Sequence, residues 1–135
     1  MMIQLHFTDV YRYPDDVDGI TIPVMLSYGS IDIRVQAKVD TGAGVCLFSY
    51  EDGLKLGIQV AQGTPLTLRS LGGPLEAFGH EVLLQTGDLV FQSFVYFAKY
   101  PGLLYNILGR EGWLRKVRLA VIDYDNLLYL SSYDS

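Results

Sequence analysis

A single cysteine, Cys46, rules out an internal disulfide in this 135-residue chain and fits a reducing compartment. Charge is also sparse: 19% of residues are charged, 10 basic against 15 acidic, for a net charge of −5. A nucleic-acid surface needs clustered positive charge, so no nucleic-acid partner is expected. No apolar stretch approaches the length of a membrane span, and no membrane partner is expected either. The opening MMIQLHFTDVYRYPDD lacks a positive leading region and carries acids early, unlike a secretory signal, so the expected location is the cytoplasm. There is no internal repeat and no low-complexity segment. What remains is apolar material, 50% of the chain, which suffices for the core of one domain.

Fourteen glycines and many β-formers organise that material, with turn signals every ten or so residues. Ile20 to Leu26 reads as a strand, with Pro23 suggesting an edge or entry position. Tyr28-Gly29-Ser30 turns into Ile31-Asp32-Ile33-Arg34-Val35, which alternates apolar and polar at period two. Val45 to Phe48 reads as a buried strand, and Ser49 as the cap of a helix over Tyr50 to Leu56 that ends at Gly57. A long hairpin follows, from Thr64 to Leu84, with Leu71-Gly72-Gly73-Pro74 at its tip. Leu89 to Ala98 is an aromatic strand, Leu103 to Leu108 another apolar run, and Glu111 to Lys116 a short helix carrying Trp113. Arg118 to Ile122 and Leu127 to Leu130 bracket a closing hairpin. Residues 1–19 stand apart as an N-terminal extension or edge strand before a domain over residues 20–135.

One acid breaks the pattern. Asp40 ends the run Ala37-Lys38-Val39 and opens the small-residue turn Thr41-Gly42-Ala43-Gly44. A carboxylate placed beside buried strands is costly unless something nearby uses it. Taken alone, Asp40 reads as an ordinary turn acid capping backbone amides. Downstream, however, come a glycine-tipped hairpin and then Asn106-Ile107-Leu108-Gly109-Arg110, in that order. Together these features resemble the retropepsin-like aspartic proteases, single-domain relatives of pepsin, over roughly residues 20 to 130. The resemblance implies an all-β, half-pepsin closed barrel with a flap hairpin and one or two short helices. It also implies an aspartic endopeptidase that needs no metal or cofactor.

The chemistry of such a centre needs two carboxylates. Brought together they share one proton, so one acts as base toward a water while the other donates to the peptide carbonyl. This chain supplies one Asp-Thr-Gly: Asp9, Asp88 and Asp123 lack the following Thr-Gly or Ser-Gly, and Asp18-Gly19 lacks the hydroxyl residue between. The expected assembly is therefore a symmetric homodimer with Asp40 contributed by each copy. The catalytic candidates are Asp40, Thr41, which would hydrogen-bond across the axis, and Gly42, which allows close backbone approach. The substrate-binding candidates are Ala43, Gly44, Leu71, Gly72, Gly73 and Ile107. Peptide would lie extended under the flap, and the pH optimum would fall on the acid side of neutral.

One departure stands out. Many viral members carry an acid where Gly44 stands, paired with the Arg of the Gly-Arg motif. Arg110 is thus expected to use a carbonyl, Glu111 or an N-terminal acid instead. The terminal strands that join viral dimers are not recognisable. The rival reading is a dimeric peptide- or protein-binding module with weak or no turnover on the same fold. A dinucleotide loop at Thr41-Gly42-Ala43-Gly44 is disfavoured because β-formers follow it and Leu47 stands where a third glycine is wanted. His6 and His80 have no ligands at metal spacing, and Cys46 reads as a small buried hydrophobe.

Overall fold

In the computed structural model, which describes residues 1–134, period-two patterning turns into burial along the first long strands. Ile22, Val24 and Leu26 of β2 (Thr21–Tyr28) point inward and are almost fully buried, while Thr21, Pro23 and Met25 between them are half-buried. β2 turns at Gly29 into β3 (Ile31–Val39), paired along its length in antiparallel register from Tyr28–Ile31 to Thr21–Lys38. The two-residue β4 (Leu47–Phe48) follows, then α1 (Tyr50–Lys55). Ser49 caps α1, its hydroxyl accepting from the Asp52 N–H at 3.0 Å, and Gly57 at φ +79° ends it.

β5 (Thr64–Ser70) and the fourteen-residue β6 (Gly73–Thr86) form the hairpin, turned by Leu71-Gly72. β7 (Leu89–Ala98) returns along the lower part of β6. β8 (Asn106–Leu108) then inserts between β3 and β4, parallel to the first and antiparallel to the second. The hydrogen-bonded order β2-β3-β8-β4-β7-β6 closes on itself through pairing of Met25–Ser27 with Leu83–Gln85. The result is a six-stranded barrel, and with strands over 53% of the chain the fold is all-β as expected. β5 lies outside the ring and pairs only with β6, so the upper hairpin stands off the barrel.

A second, three-stranded sheet packs into the same core. β9 (Val117–Ile122) and β10 (Leu127–Ser132) form the closing hairpin, and Asp9–Arg12 adds to β10 as β1. Tyr13, just past β1, is buried in the same core cluster as Leu128 and Trp113, and its hydroxyl donates to the Asp123 carboxylate. The N-terminal segment is thus built into the core at this point.

Two local expectations change, and one apolar run divides. The helix expected over Glu111 to Lys116 is a single 3-10 turn, Leu114–Lys116, because Gly112 at φ +100° and Trp113 at φ −143° interrupt helical geometry. Trp113 therefore precedes the turn, fully buried, with its indole N–H donating to Thr86 Oγ1 at 3.0 Å. The strand expected over Val45 to Phe48 shrinks to Leu47–Phe48, with Val45 making one isolated bridge to Glu111. The run Leu103 to Leu108 is strand only from Asn106 onward, its first residues forming a loop after Pro101-Gly102, with Gly102 at φ +103°.

Candidate active site

The sequence around Asp40 folds into a loop because the strands on either side of it are not neighbours. β3 and β4 are separated by β8, so residues 40–44 must bridge over that strand. Backbone bonds secure the crossing. The Asp40 N–H donates to the Leu108 carbonyl at 3.0 Å, and the Arg110 and Glu111 N–H groups donate to the Ala43 and Gly44 carbonyls at 2.9 Å each. Gly109 packs directly beneath: a Cβ there would lie 2.1 Å from the Val45 carbonyl oxygen and 2.8 Å from that of Ala43. Only a residue without a side chain fits.

Within the loop, the Asp40 carboxylate accepts from the Gly42 N–H at 3.0 Å, and the Ala43 N–H donates to the Asp40 carbonyl at 3.2 Å. Asp40 is half-buried, while Thr41 and Gly42 are exposed at the crest. Oδ1 is thus oriented by the backbone of its own turn. The carbonyls of Ala43 and Gly44 are already occupied by the Gly109 segment, so these residues hold the loop.

A cavity of about 490 Å3 opens between the off-barrel hairpin and the loop after β7. Gly72, Gly73 and Ile107 line it, as does Leu75, whereas Leu71 at the hairpin tip is fully exposed and does not. Asp40 is not in the lining either. It sits just beyond, since Val39 pairs with Leu108 beside Ile107. The structure therefore gathers the hairpin glycines and Ile107 around one space and Asp40 to Gly44 in the adjoining loop. Sequence reading missed the opposite wall, Tyr100 and Leu103 to Tyr105; the Pro101-Gly102 dipeptide was the available signal that this run is a loop.

That wall is braced from the N-terminal segment. Lys38 Nζ lies 4.7 Å from the Tyr105 ring centroid, and its aliphatic chain runs against Gly19. The Asp18 carboxylate, which hydrogen-bonds the Tyr105 hydroxyl, raises that phenol above its ordinary value. Arg110 is exposed and forms no ion pair among the described residues; Glu111 pairs with Arg115 at 2.8 Å instead. His80 Nε2 meets the Val60 carbonyl at 2.8 Å and His6 is exposed. No group of three or more His, Cys, Asp or Glu stands close enough to hold a metal ion among the described residues.

Cys46 lies under the loop, its Sγ accepting from the Gly109 N–H at 3.4 Å. Burial pushes its thiol up to about 12 from 9.0, partly offset by the Gly109 backbone hydrogen bond. The folded state prefers the neutral thiol, so this contribution to stability is complete below pH 9.0 and is lost as pH rises toward about 12. A thiol-specific alkylating reagent at neutral pH is expected to leave Cys46 unmodified until the chain is denatured. Rapid modification of the native protein contradicts this burial.

No family model and no curated protein matches the chain. Solved structures do. A retropepsin-like aspartic protease from Rickettsia conorii superposes with a TM-score of 0.65 at 18% identity, covering 90% of this chain and 96% of that one. The fold is retropepsin-like. The EIAV protease, solved in complex with the inhibitor HBY-793, superposes with a TM-score of 0.55 at 20% identity, covering 72% of this chain and 86% of that one. The Asp40 loop strung over β8 and the hairpin above the cavity are the two features of this fold on which a functional reading rests. No described helix is long and apolar enough to cross a membrane.

Proposed function

We propose that this chain is an aspartic endopeptidase that works as a homodimer, each copy contributing Asp40 to a shared dyad. The observation that carries the reading is the loop itself: an Asp-Thr-Gly turn with its carboxylate aligned by the Gly42 N–H, locked over β8 by Gly109 and Arg110. That is costly architecture for a mere turn acid, and the solved structures of similar fold are proteases. With two copies face to face, one carboxylate takes a proton from a trapped water as the other donates to the peptide carbonyl oxygen. In this reading Thr41, which is exposed at the crest, bonds across the axis. Ala43 and Gly44 flank the dyad, while Leu71, Gly72, Gly73 and Ile107 contact extended peptide as the hairpin closes and excludes water. The cavity wall of Leu75, Leu103 and Leu104 favours apolar side chains beside the cut.

A dimeric peptide-binding module with little turnover is the second reading, favoured by Gly44 and by the absence of an ion pair at Arg110 among the described residues. Sedimentation with and without a peptide carrying a non-cleavable tetrahedral-carbon mimic, together with cleavage of a mixed peptide library, tests both. The endopeptidase reading expects dimers tightened by the mimic and cleavage strongest on the acid side of neutral. Dimers that bind peptide without cutting it establish the module. A persistent monomer, even at high concentration with the mimic, rejects both.

A further inference from the structure

Asp52 is the one buried acid among the described residues, and no ion pair reaches it. A buried carboxylate without counter-charge is costly unless hydrogen bonds satisfy it. The group that meets it is the side-chain amide of Asn106. Its Nδ2 donates to Asp52 Oδ2 at 3.1 Å and to the Gln36 carbonyl at 3.0 Å, and its Oδ1 accepts from the Ser49 N–H at 3.0 Å. Both donors are used against acceptors and the oxygen against a donor, so this orientation is the one the surroundings permit. One amide thereby joins β3, the junction before α1, and α1 itself.

The position of that amide matters because Asn106 opens β8. β8 has three residues and meets β4 at a single pair, Leu47–Ile107. So short a strand has few ladder bonds to fix its register. Two residues later the Leu108 carbonyl accepts the Asp40 N–H, and the next residue, Gly109, packs under the loop.

We propose that Asn106 is the positioning residue for Asp40: by tying β8 to β3, and to α1 through the buried Asp52, it sets where the Leu108 carbonyl stands and hence where the Asp40 carboxylate points. Asn106 touches no reacting atom. The placement rests on hydrogen bonds alone, and its effect on turnover rests on the endopeptidase reading. The other titratable side chains on the packed elements are Glu51, Lys55 and Tyr50 of α1, Asp32, Arg34 and Lys38 of β3, and Tyr96 of β7. None of them pairs with Asp52.

Asn106→Asp tests this with almost no change in shape. It removes both donors and sets a second carboxylate against Asp52, and two carboxylates so close resist double ionisation. At acid pH a shared proton restores one donor; as pH rises and the proton leaves, the two groups repel and β8 loosens. Amide exchange in the full-length protein is the first readout. At neutral pH the Asp40 N–H is expected to exchange about tenfold faster or more than in the parent, with the ratio shrinking at acid pH and β6–β7 amides unchanged. Peptide turnover is the second. At neutral pH kcat is expected to fall about 100-fold with KM nearly unchanged, the deficit again narrowing toward acid pH. Adding Asp52→Asn removes the like charge and returns a donor, so the double variant is expected to recover Asp40 protection at neutral pH. It also supplies the comparison if the single variant does not fold there. Parent-like protection of Asp40 in Asn106→Asp overturns the proposal, as does a deficit independent of pH or not relieved by Asp52→Asn. A parent that cleaves no peptide rejects the endopeptidase reading alone, and the exchange measurements still decide the role of Asn106.

Discussion

Asp40→Asn is expected to yield a folded protein that cleaves peptide about 10²–10⁴-fold more slowly than the parent, the range typical for losing positioned acid–base catalysis. The substitution keeps the oxygen that accepts the Gly42 N–H, so the loop and its bonds to the Gly109 segment survive. What disappears is the exchangeable carboxyl proton. Thermal unfolding should therefore shift little while turnover collapses. Mixing sharpens the test. If each centre takes one Asp40 from each copy, equal amounts of parent and variant, allowed to exchange subunits, retain about a quarter of the parent's activity. Independent centres retain about half. A variant as active as the parent removes Asp40 from the chemistry, and half-activity on mixing removes the shared dyad.

Gly109→Ala should be among the most destabilising single substitutions in the chain. Its Cβ would lie 2.1 Å from the Val45 carbonyl oxygen, 2.7 Å from the Val45 carbonyl carbon and 2.8 Å from the Ala43 carbonyl oxygen. These are backbone atoms, so no rotamer change relieves the contact. Gly109 has no positive φ, and the effect is one of space alone. Overpacking of this kind is expected to cost about 3 kcal/mol or more, at the upper end of such substitutions. Gly44→Ala is the matched control four residues from Asp40 in the same crossing. A Cβ there meets nothing within 4 Å, so the change should stay within about 0.5 kcal/mol. Urea denaturation of both variants measures the contrast. Equal stability of the two would mean that the Gly109 strand does not lie against the loop as described.

Much of this was legible in the sequence. Alternation over Ile31 to Val35 marked β3, the Ser49 hydroxyl marked the start of α1, and Leu89 to Ala98 matched β7 residue for residue. These are local signals, carried by periodicity, capping chemistry and β-propensity. The segments that local pattern leaves open or misreads are those where a neighbour decides. Leu103 to Tyr105 has the composition of a strand but forms the wall of the cavity, held by Lys38 and the segment around Asp18. Glu111 to Lys116 has helix-forming residues, yet burial of Trp113 against Thr86 and the conformation of Gly112 leave room for one 3-10 turn.

Local pattern along the chain is enough to mark it as all-β, to set Asp40 in an Asp-Thr-Gly turn, and to put glycines at the tip of a long hairpin. Each of these depends on residues adjacent in the chain, where steric preference and side-chain period act directly. The long-range packing sets β8 between β3 and β4, Gly109 under the Asp40 loop, and Asn106 between the buried Asp52 and β3. Such contacts join residues more than fifty positions apart, and their energy comes from close packing and satisfied buried polar groups, which no local pattern records.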